Sequence, residues 1–475
     1  MDVATARAIP PPVAAAPNSG QARGALAGLS LAGLLASLAT SSANVALPTL
    51  AGAFAASFQA VQWVVIAYLL AVTTSVVAFG RLGDLVGPRR LLLAGLLLFA
   101  ATSVVSSVAP SLSLLIAARF VQGLGAAVML ALTVAFVGRV ASKERIGSAM
   151  GLLGTTSAIG TALGPSVGGT LIDLLGWRAI FLINVPLAAV SAALLVRYLP
   201  PDSTAPARGV RFDHRGTWWL GATLAAYALA LTLGRGAFGL LNAALLGVAL
   251  VGLAAFAHTE RSAEAPLIRM ELLREFGTSA GLVANLLVSA VLMATLIVGP
   301  FHLSSGLGLQ ARDVGLVLSV GPCVAAVTGV PAGRLVDRAG PRRAVLLGLS
   351  GVVFGSLVLA LMPEAAGVPG YAGPIAVMTA GYALFQAANT TSIMQAAAAG
   401  DRGVVAGTLT LSRNLGLVTG ACVLGAVFVA AAGVSDVALA PPAVVASATR
   451  FTFAVAAAVT LAALVGVARA GASRV

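Results

Sequence analysis

The sequence contains very little charge. Only 9% of its 475 residues are Asp, Glu, Lys or Arg, whereas 59% are hydrophobic and the mean hydropathy is +1.01. Soluble globular domains carry about 25% charged residues, so this composition excludes a soluble fold. Long apolar runs recur along almost the whole chain, and about 20 apolar residues suffice to cross a bilayer as a helix. The chain is therefore predicted to be an integral membrane protein.

Other absences narrow the class of protein further. The two cysteines, Cys323 and Cys422, are too few for a disulfide framework or a cysteine-based metal site. The only lysine is Lys143, and no G-x-x-x-x-G-K-[ST] sequence is present, so the chain encodes no nucleotide-driven motor. No cluster of His, Asp, Glu or Cys lies at membrane depth, which argues against an enzyme. We expect no metal and no cofactor.

Fourteen apolar runs are long enough to be membrane-spanning helices. They are continuous and lack the period-two alternation of barrel strands, which predicts an all-α integral membrane protein. The predicted spans cover residues 25–47, 62–80, 91–109, 112–138, 147–173, 178–199, 216–234, 238–257, 279–302, 314–333, 344–362, 372–396, 403–431 and 450–468.

The basic residues predict the orientation of these spans. Of the 28 Lys and Arg residues, the loops on one side hold only Arg178, Arg235, Arg312 and Arg450. Basic residues concentrate on the cytoplasmic side of membrane proteins, so both termini are predicted to be cytoplasmic. The formal net charge of +13 follows from this asymmetry, and no clustered basic face with base-stacking aromatics indicates a nucleic-acid partner.

One charged turn occurs twice in the chain. GRLGDLVGPRR at residues 80–90 and GRLVDRAGPRR at residues 333–343 are identical at eight of eleven positions. Each copy follows the second helix of a six-helix group if the seventh and eighth spans are an insert. Parallel six-helix repeats occur in a large class of transporters, with the substrate between the halves near the midplane.

This repeat divides the chain into four parts. We predict a disordered cytoplasmic tail over residues 1–24 and a six-helix bundle over 25–199. A two-helix insert with its flanking loops follows over 200–275, and a second six-helix bundle covers 276–475. Within the turns, glycines allow a tight connection. The carboxylates of Asp84 and Asp337 are expected to accept hydrogen bonds from helix-terminal N–H groups, and the arginines to pair with carboxylates or anionic lipid headgroups.

Several motifs resemble those of the major facilitator superfamily. The repeated turn resembles its motif A, ARFVQGLGAA matches its R-x-x-Q-G-x-G pattern, and GLLGTTSAIGTALGPSVGG resembles the glycine motif of its exporters. GWRAIFLINVP, NVALPTL and RNLG are similar to stretches of its fourteen-helix drug:proton antiporters. The resemblance implies 14 transmembrane helices arranged as 6+2+6. It also implies a multidrug efflux antiporter of a bacterial inner membrane that exports amphipathic, drug-like molecules by alternating access.

The same resemblance assigns roles to individual residues. The two turns would form a cytoplasmic gate that latches the two halves. Its residues are Gly80, Arg81, Asp84, Gly87, Arg89 and Arg90 in the first turn and Gly333, Asp337, Gly340, Arg342 and Arg343 in the weaker second copy. The exporter motif would comprise Gly151, Gly160, Gly164, Pro165, Gly168 and Gly169. Glycines at 160, 164 and 168 share one helical face and allow close helix packing, and Pro165 is expected to kink the helix.

The coupling residue of such an antiporter is missing. Proton antiport usually employs a buried carboxylate, but none of the fifteen acidic residues lies deep in a predicted span. The antiporters carry an aspartate in their first helix where this chain has Ala39. His302 is near the outer end of the ninth span. The resemblance makes proton-driven export the first hypothesis. The missing carboxylate motivates the alternative, a metabolite or organic-anion exporter with weak or no proton coupling.

Polar residues in the spans are the candidates for coupling and for the substrate cavity. Arg119 is the outstanding intramembrane charge, and with Gln122 it is assigned to coupling or substrate binding. The candidate cavity residues are Ser41, Asn44, Tyr382, Gln386, Asn389, Arg413 and Asn414. Such amides bind a ligand or cross-link neighbouring helices, and the sequence leaves both interpretations open. The expected partners are a small-molecule substrate, protons and membrane lipids, and the protein is expected to be a monomer.

Overall fold

The computed structural model describes residues 19–140, 146–202, 214–233, 239–262, 276–396, 402–434 and 437–472, and within these ranges the chain is helical and contains no strand. A helix overlaps each of the fourteen predicted spans. These helices are α1 (Ser19–Val45), α2 (Phe58–Val86), α3 (Pro88–Ser107), α4 (Leu112–Val140), α5 (Ile146–Leu175), α6 (Asn184–Tyr198), α7 (His214–Thr232), α8 (Leu240–Ser262), α9 (Phe276–Phe301), α10 (Ala311–Ala339), α11 (Pro341–Ala360), α12 (Gly367–Ala396), α13 (Arg402–Thr419) and α14 (Pro442–Ala472).

Shorter helical segments extend or connect these helices. Leu47–Phe54 follows α1, and Ala179–Leu182 precedes α6. A π-helical turn, His302–Gly306, continues α9. A second π-helical turn, Gly420–Leu424, joins α13 to the helix Gly425–Ala432.

Twelve helical segments of the described chain are long and apolar enough to cross a membrane. α7 and α12 are not among the twelve. α7 begins with the polar residues His214 and Arg215, and α12 carries Gln386, Asn389 and Thr390 near its end. These residues lower the hydropathy of both helices. The all-helical membrane fold is therefore confirmed, whereas the count of fourteen spans stays a prediction.

Several helices are longer than the apolar runs that predicted them. α1 already begins at Ser19, so residues 19–24 belong to this helix and not to a disordered tail, and residues 1–18 lie outside the described chain. A Cβ atom at Gly24 would collide with the ring of Tyr198, which shows how closely the start of α1 packs on the end of α6.

The repeated turn is also mostly helix. α2 continues to Val86 and α10 to Ala339, so the backbones of Asp84 and Asp337 lie in last helical turns and not in loops. A single glycine forms each connection, with φ of +102° at Gly87 and +82° at Gly340. Glycine adopts such values without steric cost, and a proline then begins the next helix, where its missing N–H is tolerated.

Two groups of helices pack mainly among themselves. In the first half, α1–α6, the helix α1 packs on α5 and α6, and α4 packs on α2 and α3. In the second half, α9–α14, the helix α9 packs on α13 and α14, and α12 packs on α10 and α11. The main contacts between the halves are those of α5 with α10 and of α2 with α13. The division into six, two and six helices stays a prediction, which these contacts favour.

The pair α7 and α8 lies beside the first half. The two helices pack on each other, and α7 packs on α2. The indole Nε1 of Trp63 in α2 donates a 3.0 Å hydrogen bond to Thr232 Oγ1 in α7.

The two ends of the bundle differ in how the halves meet. We call the end at which α1 begins the terminal end and the opposite end the distal end. One hydrophobic cluster contains residues of both halves, and the two halves meet within it at the distal end. Its Phe58 ring in α2 lies 4.8 Å from the Phe301 ring of α9 and 5.4 Å from the Phe428 ring beyond α13.

Towards the terminal end, each half also has a cluster of its own. Leu29, Leu132, Phe136 and Leu195 belong to one that contains only first-half residues. The other cluster consists of Leu282, Ile393, Val405 and Leu409, all from the second half. Among the described residues, hydrophobic packing therefore joins the halves at the distal end.

Candidate functional site

A cavity of about 380 Å³ lies between the two halves. The first half contributes Ser157 and Thr161 from α5, and the second half contributes the remaining walls from α9, α10, α12 and α13. These remaining residues are Leu292, Thr295, Leu296, Leu318, Gly321, Pro322, Ala325, Tyr371, Ile375, Thr379, Tyr382 and Arg413. Its size suits a drug-sized ligand, and an apolar lining with few polar groups is typical of small-molecule sites.

The glycine-rich helix α5 positions the first-half wall of this cavity. Gly160, Gly164 and Gly168 all face α1, where Cβ atoms would meet Leu34, Ser41 and Ser42. The glycines therefore let the backbones of α5 and α1 approach closely. On the same helix, Ser157 Oγ is 2.6 Å from Ser37 Oγ.

Another glycine of α5 contacts the second half directly. A Cβ atom at Gly169 would overlap the carbonyl group of Ala311 and lie 3.1 Å from Gly315 Cα in α10. A Cβ atom at Gly315 would overlap the carbonyl oxygen of Pro165. The exporter motif therefore includes the distal contact between the halves. The side-chain surroundings of Gly151 lie outside the described part of the chain.

Arg119 is fully buried and holds three helices of the first half together. Its Nε donates to the Val64 carbonyl oxygen in α2 at 3.0 Å, and its Nη1 donates to Gln122 Oε1 at 2.6 Å. Gln122 Nε2 in turn donates to Ser103 Oγ in α3 at 2.7 Å. The guanidinium also lies 4.3 Å from the ring centre of Tyr68, a cation–π contact. Neither Arg119 nor Gln122 lines the cavity, and their assignment to coupling stays a prediction.

The predicted cavity residues separate into two groups. Tyr382 and Arg413 line the cavity. Ser41 and Asn389 instead bind backbone carbonyls: Ser41 Oγ donates to Ser37 at 2.9 Å, and Asn389 Nδ2 donates to Gly281 at 3.1 Å.

The remaining amides of that prediction do not line the cavity either. Asn44 is buried, and its amide group has no hydrogen-bond partner in the described part of the chain. Gln386 and Asn414 are half-buried, and Gln386 Oε1 likewise lacks a partner among the described residues.

Sequence reasoning missed most of the polar cavity wall. Ser157, Thr161, Thr295 and Thr379 line the cavity, but single hydroxyls in apolar helices give little signal because they also bond to their own helix backbone. Thr161 Oγ1 does so here, donating to the carbonyl of Ser157 at 3.0 Å. The spacing of four residues between Ser157 and Thr161 was the available signal, since it places both on one face of α5.

A second missed residue is Gln62 of α2. Its Nε2 donates a hydrogen bond to the carbonyl oxygen of Ala421, in the π-helical turn after α13. Gln62 is buried, so this contact is a polar link between the halves.

The first copy of the repeated turn is bound by a residue that the sequence did not indicate. The carboxylate of Asp202, just after α6, accepts hydrogen bonds from the backbone N–H groups of Arg89 at 2.9 Å and Arg90 at 3.0 Å. The Arg89 Nη2 donates to the Val196 carbonyl at 2.5 Å. Asp202 thus caps α3, the role expected for Asp84, and these contacts remain within the first half. The side chains of Arg81 and Asp84 lie outside the described part of the chain.

The second copy of the turn has more space around it. A Cβ atom at Gly87 would lie 2.5 Å from Asp202 Oδ2, whereas one at Gly340 or Gly333 would meet no atom within 4 Å. Asp337, Arg342 and Arg343 are exposed. Gly80 in the first copy is also loosely packed, with Ala131 Cβ at 3.9 Å from an added Cβ. Latching of the halves by these turns stays a prediction.

Asp202→Ala is expected to lower the stability of the protein by about 0.5–2 kcal/mol, the usual cost of losing an N-cap. The measurement is thermal unfolding of the purified protein in detergent. Asp202→Asn keeps an acceptor oxygen and should therefore lower the stability less than Asp202→Ala does. Asp173→Ala, at an exposed position of α5, is the control and should leave the unfolding midpoint unchanged. Equal midpoints for Asp202→Ala and wild type would contradict the capping role.

Comparison with known proteins identifies the family. Residues 29–421 match the Major Facilitator Superfamily, so the chain belongs to this family of transporters, which are generally not enzymes. It is 30% identical over 384 residues to the uncharacterized transporter YebQ of Escherichia coli (strain K12), covering 80% of this chain and 84% of that protein. The multidrug resistance protein Stp of Mycobacterium tuberculosis (strain ATCC 25618 / H37Rv) is 31% identical over 391 residues, covering 82% and 72%.

Other relatives have different names. The riboflavin transporter RibZ of Clostridioides difficile (strain 630) is 28% identical over 389 residues, covering 81% of this chain and 83% of that protein. Among solved structures, a POT family transporter in complex with a thioalcohol-conjugated peptide aligns with a TM-score of 0.69 and 14% identity, covering 94% of this chain and 96% of that chain. At that identity the likeness shows the fold alone.

Proposed function

We propose that this protein is a secondary active exporter of amphipathic small molecules that works by alternating access in a bacterial inner membrane. The observation that carries the proposal is the cavity between the halves, which has walls from both and an apolar lining with scattered hydroxyls. When the two halves rock against each other, a cavity between them opens first to one side of the membrane and then to the other. The names of relatives such as the multidrug resistance protein Stp support drug-like substrates.

The packing of the two ends supports an inward-facing state. The halves meet through the distal hydrophobic cluster and the α5–α10 glycine contact, so the cavity is shielded from the distal side. With both termini in the cytoplasm, as the basic residues predict, the distal side is the periplasm. Export then requires the distal contact to open. The proposed unit is a monomer with 6+2+6 helices, surrounded by membrane lipids.

The proposed driving force is proton antiport. No acidic residue lines the cavity among the residues described. That observation favours the second candidate, a metabolite or organic-anion exporter with weak or no proton coupling. His302 is the histidine beside this cavity, since its ring centre lies 5.4 Å from that of the lining residue Tyr371.

Inside-out membrane vesicles test both direction and coupling. We expect vesicles containing the protein to accumulate fluorescent amphipathic dyes from a panel of neutral, cationic and anionic members when a proton gradient is imposed. Vesicles from the same host without the protein are the control. Accumulation only in right-side-out vesicles would contradict export. Accumulation that persists in the presence of an uncoupler would reject proton antiport and support the second candidate.

A further inference from the structure

We propose that the guanidinium of Arg413 is an anion-binding site within the cavity, and that the transported molecules carry one anionic group, such as a carboxylate or sulfonate, on an apolar body. This proposal deepens the proposed export function and rests on it. It assigns a charge class to the substrate, which neither the family nor the names of the relatives supply.

Arg413 lies within the membrane-spanning part of α13. It is six residues after the first residue of the span Gly407–Ala432, or about 9 Å along the helix axis at 1.5 Å per residue. A cation within a span is costly, so arginines there normally face a partner or a water-filled cavity. Arg413 is exposed, and it lines the cavity between the halves.

The charge of Arg413 has no counter-charge within the described chain. No hydrogen bond or ion pair joins its guanidinium to any residue that the structure describes. Arg119 provides the contrast, because its guanidinium donates to Val64 and Gln122 and stacks on Tyr68. Of these two membrane arginines, Arg119 therefore uses its Nε and Nη1 donors to join helices, whereas the guanidinium of Arg413 is unpaired within the described chain.

Arg413 is also the only charged residue among the described residues that line the cavity. Its field is therefore not cancelled by a carboxylate among these lining residues. An anionic group entering the cavity gains this attraction, whereas a cationic group is repelled by it. The lining thus discriminates by the sign of the charge.

Tyr382 supplies a second donor on the same cavity wall. Its hydroxyl has no hydrogen-bond partner within the described residues, although the oxygen is shielded from solvent. A phenol and a guanidinium are both donors that bind an oxyanion, and bonds to a charged partner are about twice as strong as neutral ones. The hydroxyl of Tyr371, in contrast, already donates to the Thr295 carbonyl at 3.2 Å.

The remaining walls specify the rest of the ligand. Leu292, Leu296, Leu318 and Ile375 present apolar surface, which favours a hydrocarbon or aromatic body through burial from water. A molecule with an anionic head and an apolar body therefore matches the cavity at both ends. Such a molecule would reach from α13 towards Ser157 and Thr161 on α5, and so contact both halves.

Three dansyl compounds with the same fluorophore test the charge preference. Dansylglycine is anionic, dansylglycinamide is neutral and N-dansylethylenediamine is cationic at neutral pH. Binding to the purified full-length protein in lipid nanodiscs is measured by fluorescence titration. We expect the wild type to bind dansylglycine at least about tenfold more tightly than dansylglycinamide, the effect of one charge-assisted hydrogen bond, and the cationic probe most weakly.

Variants then assign the preference to Arg413. Arg413→Gln, which keeps hydrogen-bonding capacity but removes the charge, should abolish the preference by weakening dansylglycine binding while leaving dansylglycinamide binding unchanged. Arg413→Lys should retain part of it. Arg312→Gln, at an exposed position near the start of α10 and away from the cavity, is the matched control and should behave as wild type.

The outcomes separate this proposal from the proposed function. Equal affinity for the three probes, absence of dansylglycine binding, or an anion preference that survives Arg413→Gln would overturn the anion site. If the inside-out vesicles still accumulate dyes in that case, the export function stands and only the anion site fails. An anion preference that depends on Arg413, without transport in vesicles of either orientation, would support the site and reject the export function.

Discussion

Gly315→Ala is expected to reduce transport at least tenfold and to shift the protein towards a state that is open at the distal end. The added methyl group would overlap the carbonyl oxygen of Pro165 and lie 3.2 Å from Gly169 Cα. The helices α5 and α10 would therefore have to move apart. Both neighbours are backbone atoms, which cannot move out of the way alone. Overpacking costs about 1–3 kcal/mol, and a bias of that size changes a two-state equilibrium about 5- to 150-fold.

The measurement is dye accumulation in inside-out vesicles at matched expression. Gly329→Ala in the same helix is the control, because a Cβ atom there meets no atom within 4 Å. It should transport as wild type and be slightly more stable, since alanine is favoured over glycine in helices. Equal transport by Gly315→Ala and Gly329→Ala would show that the α5–α10 contact does not govern access.

Arg119→Ala is expected to destabilise the folded protein by about 3–5 kcal/mol, the cost of emptying a well-packed site and leaving its acceptors unpaired. The side chain is fully buried and bonds to Val64 and Gln122. Arg119→Lys should recover little of the lost stability, because an ammonium group lacks the planar fork of donors that reaches both acceptors.

Thermal unfolding in detergent distinguishes the two membrane arginines. Arg413→Ala should leave the unfolding midpoint near that of wild type, because its guanidinium makes no hydrogen bond or ion pair with a described residue. Arg119→Ala should lower the midpoint and the yield of monodisperse protein. A normal midpoint for Arg119→Ala, together with lost transport, would contradict the structural role and favour the coupling role.

The helical architecture could be predicted from the sequence because its signals are local and strong. Each apolar run lies on a helix, and the duplicated turn lies at the ends of α2 and α10. The helix ends were predicted less accurately, since α2 and α10 continue beyond the apolar run into the charged residues of the turn. Hydropathy marks where a helix is apolar, and it does not report where the backbone hydrogen bonds end.

The contacts that build the site were harder to predict because they join distant parts of the chain. Asp202 reaches the turn from 112 residues away, and nothing in the local pattern around it indicates a cap on α3. Arg119 and Arg413 are both single arginines in apolar spans, and the sequence alone does not show which of the two side chains lines the cavity. Only packing separates them, since one is surrounded by acceptors of its own half and the other faces the cavity.

Cysteine labelling tests the central claim, that the halves alternate about a distal contact that faces the periplasm. Cys323 and Cys422 are first replaced by alanine, and single cysteines are placed at Gln310 or Val314. Gln310 is exposed at the distal end, whereas Val314 is 1% exposed in the distal cluster beside Gly315. A membrane-impermeant maleimide is then added to intact cells.

Gln310→Cys is expected to react in every background, which would place the distal end outside the cell. Val314→Cys should be protected in the resting protein and become reactive when Gly315→Ala is added or when a transported substrate is supplied. Protection of Gln310→Cys from the outside would show that the distal end does not face the periplasm. Protection of Val314→Cys under all of these conditions would show that the distal contact does not open.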